Sequence, residues 1–338
     1  MEKLFIISNE SVYENDKKFF CDNIDLKSTP EGLSGSFEVN LIARRSKKIR
    51  NHFINLDKIK IYSSFISFIS AVIKSTKNNN SKYLLISLSP YTFFACIILW
   101  LLKKKPLVYL RSNGFDEYKI ILGHFGVLIY SIMFSITANL SVLISCRKYI
   151  LKGKNGYVVN PSQLDSEWKL NQSKPNLEKI NLLYVGRMRK EKGIFSLINI
   201  IQNNNDINLT IVGEENDSSN RLKHEKIKTI KIVHDQKKLI KLYDDNNIFI
   251  LPSYTEGQPM ALMEALSRLR PSIVFKEIEH VVQNRVGVFI SDRNYESLIK
   301  TINHIIKNYV SIQESMRKNY LPTNKDFIKS VKNIILEK

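Results

Sequence analysis

Acidic residues and cysteines are what this 338-residue chain is short of. Its 32 Asp and Glu face 51 Lys and Arg, a formal net charge of +19 at pH 7. About +12 of this falls in residues 1–160 and about +7 in the remainder. Such an excess calls for an anionic partner or serves solubility. Nucleic acid would suit the charge, but the chain has no zinc-binding spacing, no RNP signature and no recognisable helix-turn-helix, so no nucleic-acid partner is expected. Two readings stay open. One is an anionic membrane surface that attracts Lys and Arg. The other is a Lys-rich solubilising surface with sites for phosphorylated substrates. The three cysteines, Cys21, Cys96 and Cys146, are scattered and form neither a CxxC pair nor a metal spacing. They read as ordinary buried thiols in a reducing compartment, the cytoplasm.

A secretory leader is also missing. "MEKLFIISNES" has an apolar run too short for one and acidic residues on both sides, and reads as a first strand. Nor is there an unbroken apolar run of the ~20 residues a membrane span needs. "YTFFACIILWLL" (91–102) is too short, and "GVLIYSIMFSITANLSVLIS" (126–145) is interrupted by the polar "TANLS". A helix followed by a buried strand accounts for the second. Amphipathic docking on the inner membrane face stays open, because "WLLKKK" (100–105) is the apolar-to-basic junction that docking uses.

What is present is a 43% apolar composition, enough for packed cores, in a chain long enough for two. Strand patterns at 4–8, 38–44, 83–89, 106–112, 142–145 and 157–159 alternate with helical stretches at about 17–33, 62–77, 90–103 and 116–137. A polar stretch, 161–179, then reads as a linker. Alternation restarts with strands at 180–186, 208–213, 230–233, 248–253 and 272–275, and helices at about 193–203, 236–245, 259–270 and 295–308. The expected fold is α/β: two Rossmann-like domains, 1–160 and 180–320, facing each other across a cleft, with a helix in 321–338 packing back on the first.

Two stretches carry candidate chemistry. In "YVGRMRKEKGIFSLI" (184–198), Gly186 permits a tight turn and sets Arg187 and Lys192 near a helix start. Cations beside helix amides make a phosphate site; a solvated basic loop is the bland alternative. In "SYTEGQPMALMEAL" (253–266), Gly257 frees the turn and Pro259 fits the first helical position. Glu264 then falls inside a nearly all-apolar helix. A carboxylate there needs donors, and two ribose hydroxyls are suitable; pairing with Arg268 at i+4 is the structural alternative. Glu256 precedes the helix, as a ligand contact or as a capping carboxylate.

These stretches, with "LTIVGEE" (209–215), "KLIKLYDDNNIFILPSYTEGQPMALMEAL" and "EHVVQNRVGVFIS", resemble in their order the nucleotide-sugar-dependent glycosyltransferases of family 4, which have the GT-B fold. The E-x(7)-E spacing of Glu256 and Glu264 is part of that resemblance. It covers residues 180–308 well; the N-terminal half matches only in its alternation and in "PLVYLRSNG". It implies that Arg187 and Lys192 hold the donor diphosphate, that Glu264 binds the ribose, and that Glu256 lies by the donor sugar. It further implies backbone contacts across Gly257, Gln258, Pro259 and Met260, and a base held near Val233 and His234. Transfer of a hexosyl or related sugar with retention, no obligatory metal, and a glycan or lipid-linked acceptor follow as expectations. The chain departs from the family in lacking a Gly-rich loop after the first strand and a His after "LVYLRS", so Arg111, Asn113 and Asp116 become the acceptor-side candidates. A GT-B epimerase and a non-catalytic nucleotide- or membrane-binding protein are the alternatives.

Overall fold

The computed structural model describes residues 1–77, 80–214 and 225–338. Glu215 of "LTIVGEE" lies outside them. The chain divides into two compact units, Met1–Pro161 with Asn324–Lys338, and Ser162–Thr323.

The first unit is built on strands β1 (Lys3–Asn15), β2 (Lys18–Cys21), β3 (Glu38–Arg45), β4 (His52–Ile54), β5 (Ile59–Tyr62), β6 (Ser81–Ile86), β7 (Leu107–Leu110), β8 (Val142–Ser145) and β9 (Gly156–Val158). Its helices are α1 (Ile24–Ser34), α2 (Phe65–Ser75), α3 (Pro90–Leu101), α4 (Gly114–Leu140) and α10 (Asn324–Glu337). The parallel part of the sheet runs β5-β3-β1-β6-β7-β8-β9. Alternation along β1 decides the two faces: Leu4 and Ile6 enter one core with α1 and α10, Ile7 the other with α2, α3 and α4. Each fully buried aliphatic side chain of this kind contributes roughly 1.5–3 kcal/mol.

Two expectations for this unit are corrected. The first strand runs on to Asn15, and residues 17–33 are not one helix. Asp16 and Lys17 both take left-handed conformations (φ 47 and 62), as a two-residue hairpin requires, and return the chain as antiparallel β2. The helix starts only at Ile24, behind Asn23, whose side chain accepts from the Asp25 N–H. Strands β4 and β5 escaped the sequence pattern because HFI and IKIY lie mostly outside the core and offer no continuous apolar run.

The second unit holds a six-stranded parallel sheet: β10 (Ile180–Val185), β11 (Ile207–Glu214), β12 (Ile227–Lys231), β13 (Ile248–Leu251), β14 (Ser272–Phe275) and β15 (Val288–Ser291), in the order β12-β11-β10-β13-β14-β15. Its helices are α5 (Ile194–Ile201), α6 (Gln236–Asp244), α7 (Met260–Ser267), α8 (Tyr295–Lys307) and α9 (Tyr309–Met316). Leu182 and Tyr184 face α5 and α8; Leu183 faces α6 and α7.

The stretch 161–179 is not a free linker. Leu164 and Trp168 are buried in the second unit's core. The Arg268 guanidinium donates to the carbonyls of Trp168 (3.0 Å), Leu170 (2.6 Å) and Asn171 (2.9 Å), and Arg270 reaches Ser173 O at 3.1 Å. Polar side chains made this stretch look like a linker; buried arginines hold its backbone instead.

Candidate functional site

In the second unit the strand order reverses between β10 and β13. They are neighbours in the sheet, with Leu182 opposite Ile248 and Leu183 opposite Phe249. At such a reversal the connections leave in opposite directions and open a crevice at the carboxyl ends of the strands. The loops entering that crevice are the two singled out above, Gly186–Gly193 after β10 and Pro252–Pro259 after β13.

The loops are tied together at several points. Gly193 sits at φ +67, and a Cβ there would fall 1.9 Å from the Pro252 carbonyl oxygen, so only glycine fits. The Tyr254 N–H donates to Glu191 O at 2.9 Å. Lys192 Nζ meets Glu256 Oε1 at 2.7 Å, and Ser253 Oγ donates to the same oxygen at 2.7 Å. The Glu256 side chain is only 10% exposed and that of Lys192 21%, so water screens this pair weakly. Gly186 donates its N–H to Val212 O at 2.9 Å, and Tyr184 Oη donates to Arg187 O at 2.9 Å, which shapes the turn. Arg187 itself is exposed and has no ion pair with a described residue.

A further support comes from a distant part of the chain. Arg293 Nη1 donates to Pro252 O (2.8 Å) and Nη2 to Ser253 O (3.2 Å). The guanidinium lies over the rings of Tyr254 (3.9 Å) and Phe275 (4.4 Å). Its Nε binds Glu277 at 2.7 Å and holds that carboxyl below its ordinary range. His280 Nε2 lies 2.8 Å from Glu256 O. Carbonyls after β13 are thus held by a cation whose own position is fixed by stacking and an ion pair.

Helix α7 buries Leu262, Met263, Ala265 and Leu266. Pro259 is its N-cap (φ −72, ψ 111) rather than its first helical residue, and makes no side-chain capping bond itself. Gly257 and Gln258 form the half-buried approach to Met260. Glu264 sits deep among protein atoms and keeps a little accessible surface. Burial pushes its carboxyl up to about 7, against the opposing pull of Tyr243, whose hydroxyl donates to Oε2 at 2.8 Å. The pairing of Glu264 with Arg268 does not occur. Arg268 caps the helix C-terminus, and its guanidinium turns to Asp244 (2.9 and 2.7 Å) and the carbonyls of 168–171. One helix end, Tyr243–Asp244 of α6, therefore separates the two: the hydroxyl serves Glu264 and the carboxylate serves Arg268.

Val233 and His234 follow β12, which ends at Lys231 rather than Val233. Val233 packs against the core cluster that contains Tyr243 and Leu262, and His234 is exposed. The acceptor-side candidates lie in the first unit. Arg111, after β7, pairs with Asp25 (3.0 Å) and Glu10 (3.4 Å). Asn113 is the N-cap of α4, accepting from the Phe115 N–H, and donates to Asp116 at 2.6 Å. Asn113 and Asp116 thus have a capping role. No group of three or more His, Cys, Asp or Glu able to hold a metal occurs among the described residues. Tyr243 and His280 lie inside the quoted stretches and Arg293 just beyond one, but nothing in their local pattern marks the long-range bonds they make; Ser253 had a signal, its place in "LPSYTEG".

Two Rossmann-like units, the second with paired polar loops at its strand-order reversal, are the architecture of the GT-B fold. Residues 165–321, within the second unit, match the family glycosyl transferases group 1. The chain is 26% identical over 262 residues (74% of this chain, 67% of the other) to an uncharacterized 41.2 kDa protein in the cps region of Klebsiella pneumoniae. It is 28% identical over 182 residues to the capsular polysaccharide biosynthesis glycosyltransferase CapM of Staphylococcus aureus, 49% of this chain and about half (47%) of that protein. Among solved structures its fold is similar to sucrose-phosphate synthase from Thermosynechococcus elongatus (TM-score 0.71, 13% identity, 100% of this chain and 99% of that one). It is also similar to Anabaena HepE in complex with UDP and glucose (TM-score 0.70, 10% identity, 100% and 99%). A putative UDP-N-acetylglucosamine 2-epimerase from Listeria monocytogenes shares the fold more distantly (TM-score 0.57, 14% identity, 99% and 98%).

Proposed function

We propose that this chain transfers a hexosyl or related sugar from a nucleotide-sugar donor to an acceptor hydroxyl, with retention, in the building of a cell-surface polysaccharide or glycolipid. The observation that carries the reading is the Lys192–Glu256 pair at the reversal point of the second unit, on the loop that leads into the N-terminus of α7. Lys192 is an ammonium already held by a carboxylate, and a diphosphate is a stronger anion for the same place. Arg187, exposed beside it, adds the second charge. Together they neutralise the nucleoside diphosphate as the bond to the sugar breaks. The acceptor oxygen then bonds to the anomeric carbon, and the hydroxyl proton passes to phosphate or solvent.

Glu264 is the ribose group in this reading. One of its oxygens takes the Tyr243 hydroxyl, and two ribose hydroxyls satisfy the rest of the carboxylate. Glu256 lies by the donor sugar, with backbone contacts from Gly257, Gln258, Pro259 and Met260. Gly186 lets the first loop turn, and Val233 with His234 flanks the base. The cations provide the charge neutralisation, so no divalent metal is obligatory. UDP in the Anabaena neighbour supports a uridine diphosphate donor, and the capsular polysaccharide relative from Staphylococcus aureus supports a glycan acceptor, free or lipid-linked. Arg111 is the acceptor-side contact, with Asn113 and Asp116 shaping the loop around it.

Epimerisation is the second reading, favoured by the shared fold of the Listeria protein. The deciding experiment incubates the chain with a panel of nucleotide sugars, with and without glycan acceptors and with EDTA. Acceptor-dependent release of nucleoside diphosphate is expected, undiminished by EDTA. Inversion of the sugar without net diphosphate release would establish the epimerase instead. If no nucleotide sugar or diphosphate raises the melting temperature, both readings fall.

A further inference from the structure

Helix α4 is broken at Gly123 (φ 63, ψ −147). Its first arm, 114–122, folds back along its second, 124–140. Gly114 and Gly126 mark the contact: a Cβ on Gly114 would fall 2.1 Å from the Tyr130 ring, and one on Gly126 would fall 2.1 Å from the Tyr118 carbonyl. Phe115 meets the Tyr130 ring edge-on at 4.9 Å, and Tyr118 lies tilted against it at 5.1 Å. The result is a helical hairpin with its turn at Gly123.

The tip of that hairpin is apolar and bare. Every residue from Lys119 to Phe125 is exposed. Ile120 is 62% exposed, Ile121 71%, Leu122 50% and Phe125 67%. Along the second arm, Leu128, Ile132 and Ile136 continue an exposed stripe at helical spacing, while Tyr130, Met133, Phe134 and Thr137 are buried against the unit's core. At the end of neighbouring α3, Trp100, Leu101 and Leu102 are exposed and run directly into Lys103, Lys104 and Lys105. Water-facing aliphatic residues packed this densely mark an interaction surface.

Charge identifies the occupant. Between Asp57 and Asp165 the only acidic residues are Asp116 and Glu117, against fourteen Lys and Arg. With exposed Lys119 in the tip and Lys103–Lys105 following the exposed end of α3, a second copy of so basic a region would be repelled and an anionic surface drawn in. The helix is long and apolar enough to cross a membrane by length and composition. Its break at Gly123 and the buried face of its second arm instead fit insertion from one side. We infer that the α4 hairpin of the first unit docks the protein on an anionic lipid bilayer, its Ile120–Phe125 tip entering the headgroup–acyl boundary. This inference does not depend on the donor-site reading.

The test is flotation of the full chain with vesicles of phosphatidylcholine alone or mixed with phosphatidylglycerol, at low and high salt. The triple variant Ile120→Ser, Ile121→Ser, Phe125→Ser changes only exposed side chains, and its fold is checked by circular dichroism and melting. Wild type is expected to float with the anionic vesicles, and the variant to partition roughly tenfold less or weaker. Trp100 gives a second readout: its emission should shift to the blue on binding, while Trp168, buried in the second unit, stays constant. Three results would overturn the inference: no flotation of wild type with either vesicle, equal flotation of the variant, or a wild-type dimer that the variant dissolves without vesicle binding.

Discussion

Each unit has a corner where strands end and polar residues gather, and the two corners are built differently. In the second unit, two loops from adjacent strands meet, and a cation and a carboxylate face each other across them at 2.7 Å. In the first, Arg111 is drawn into Glu10 and Asp25, while Asn113 and Asp116 close the start of α4. The first arrangement brings together groups that a diphosphate can part. The second mostly satisfies its own charges. The proposed donor site therefore falls in the second unit, and the first unit's distinguishing surface is the apolar hairpin.

The strongest way to break this contrast is Lys192→Ala. Removing a cation aimed at the leaving group is expected to lower kcat/KM by about 10²–10³-fold. The Lys192–Glu256 pair is little exposed, so the carboxylate left without its cation should also cost about 1–3 kcal/mol of stability. Steady-state release of nucleoside diphosphate and a melting curve measure both. A large loss of stability with donor affinity intact would make this corner structural, like the one in the first unit.

Glu264→Gln separates binding from stability. The unfolded carboxyl loses its proton near 4.5 and the folded one near 7. Between those values the unfolded chain binds fewer protons, so stability falls as pH rises through the window. At pH 8 the wild type carries the full penalty, and the variant, which has no charge to bury, is expected to be more stable by about 1–3 kcal/mol. At pH 4 the two should melt alike. Donor affinity is expected to drop roughly tenfold, because hydroxyls bond more weakly to an amide than to a carboxylate. Melting against pH, with and without nucleoside diphosphate, tests both halves.

How far the sequence could be read follows the same division. The donor loops were legible because their residues lie close together in the chain: Gly186 to Gly193 is one turn, and Glu256 to Glu264 is one loop and helix. What holds them was not legible. Arg293 acts on Pro252 from forty residues away, and nothing in "SDRN" announces it. The Tyr243 hydroxyl reaches Glu264 from another helix. Arg268 stood at the right spacing for an ion pair with Glu264, yet as the C-cap just past its helix it turned to α6 and to the chain at 168–171. Helix spacing proposes a neighbour; helix ends and long-range donors decide which neighbour is taken. In the first unit most of the helices were legible from hydrophobic runs. The α4 hairpin was not, since its turn depends on one glycine inside a run that reads as continuous helix.

The smallest expected effect tests the first unit's corner directly. Arg111→Met removes the cation between Glu10 and Asp25. Their side chains are 41% and 17% exposed, so solvent takes up part of the lost attraction, and about 1 kcal/mol of stability should go. Nucleoside diphosphate binding is expected to stay unchanged, because no donor group lies in this corner. If Arg111 also orders the acceptor, KM for the acceptor rises while that for the donor holds. A fall in diphosphate affinity equal to that of Lys192→Ala would erase the distinction between the two corners, since it would show the first unit's charges sharing the donor's.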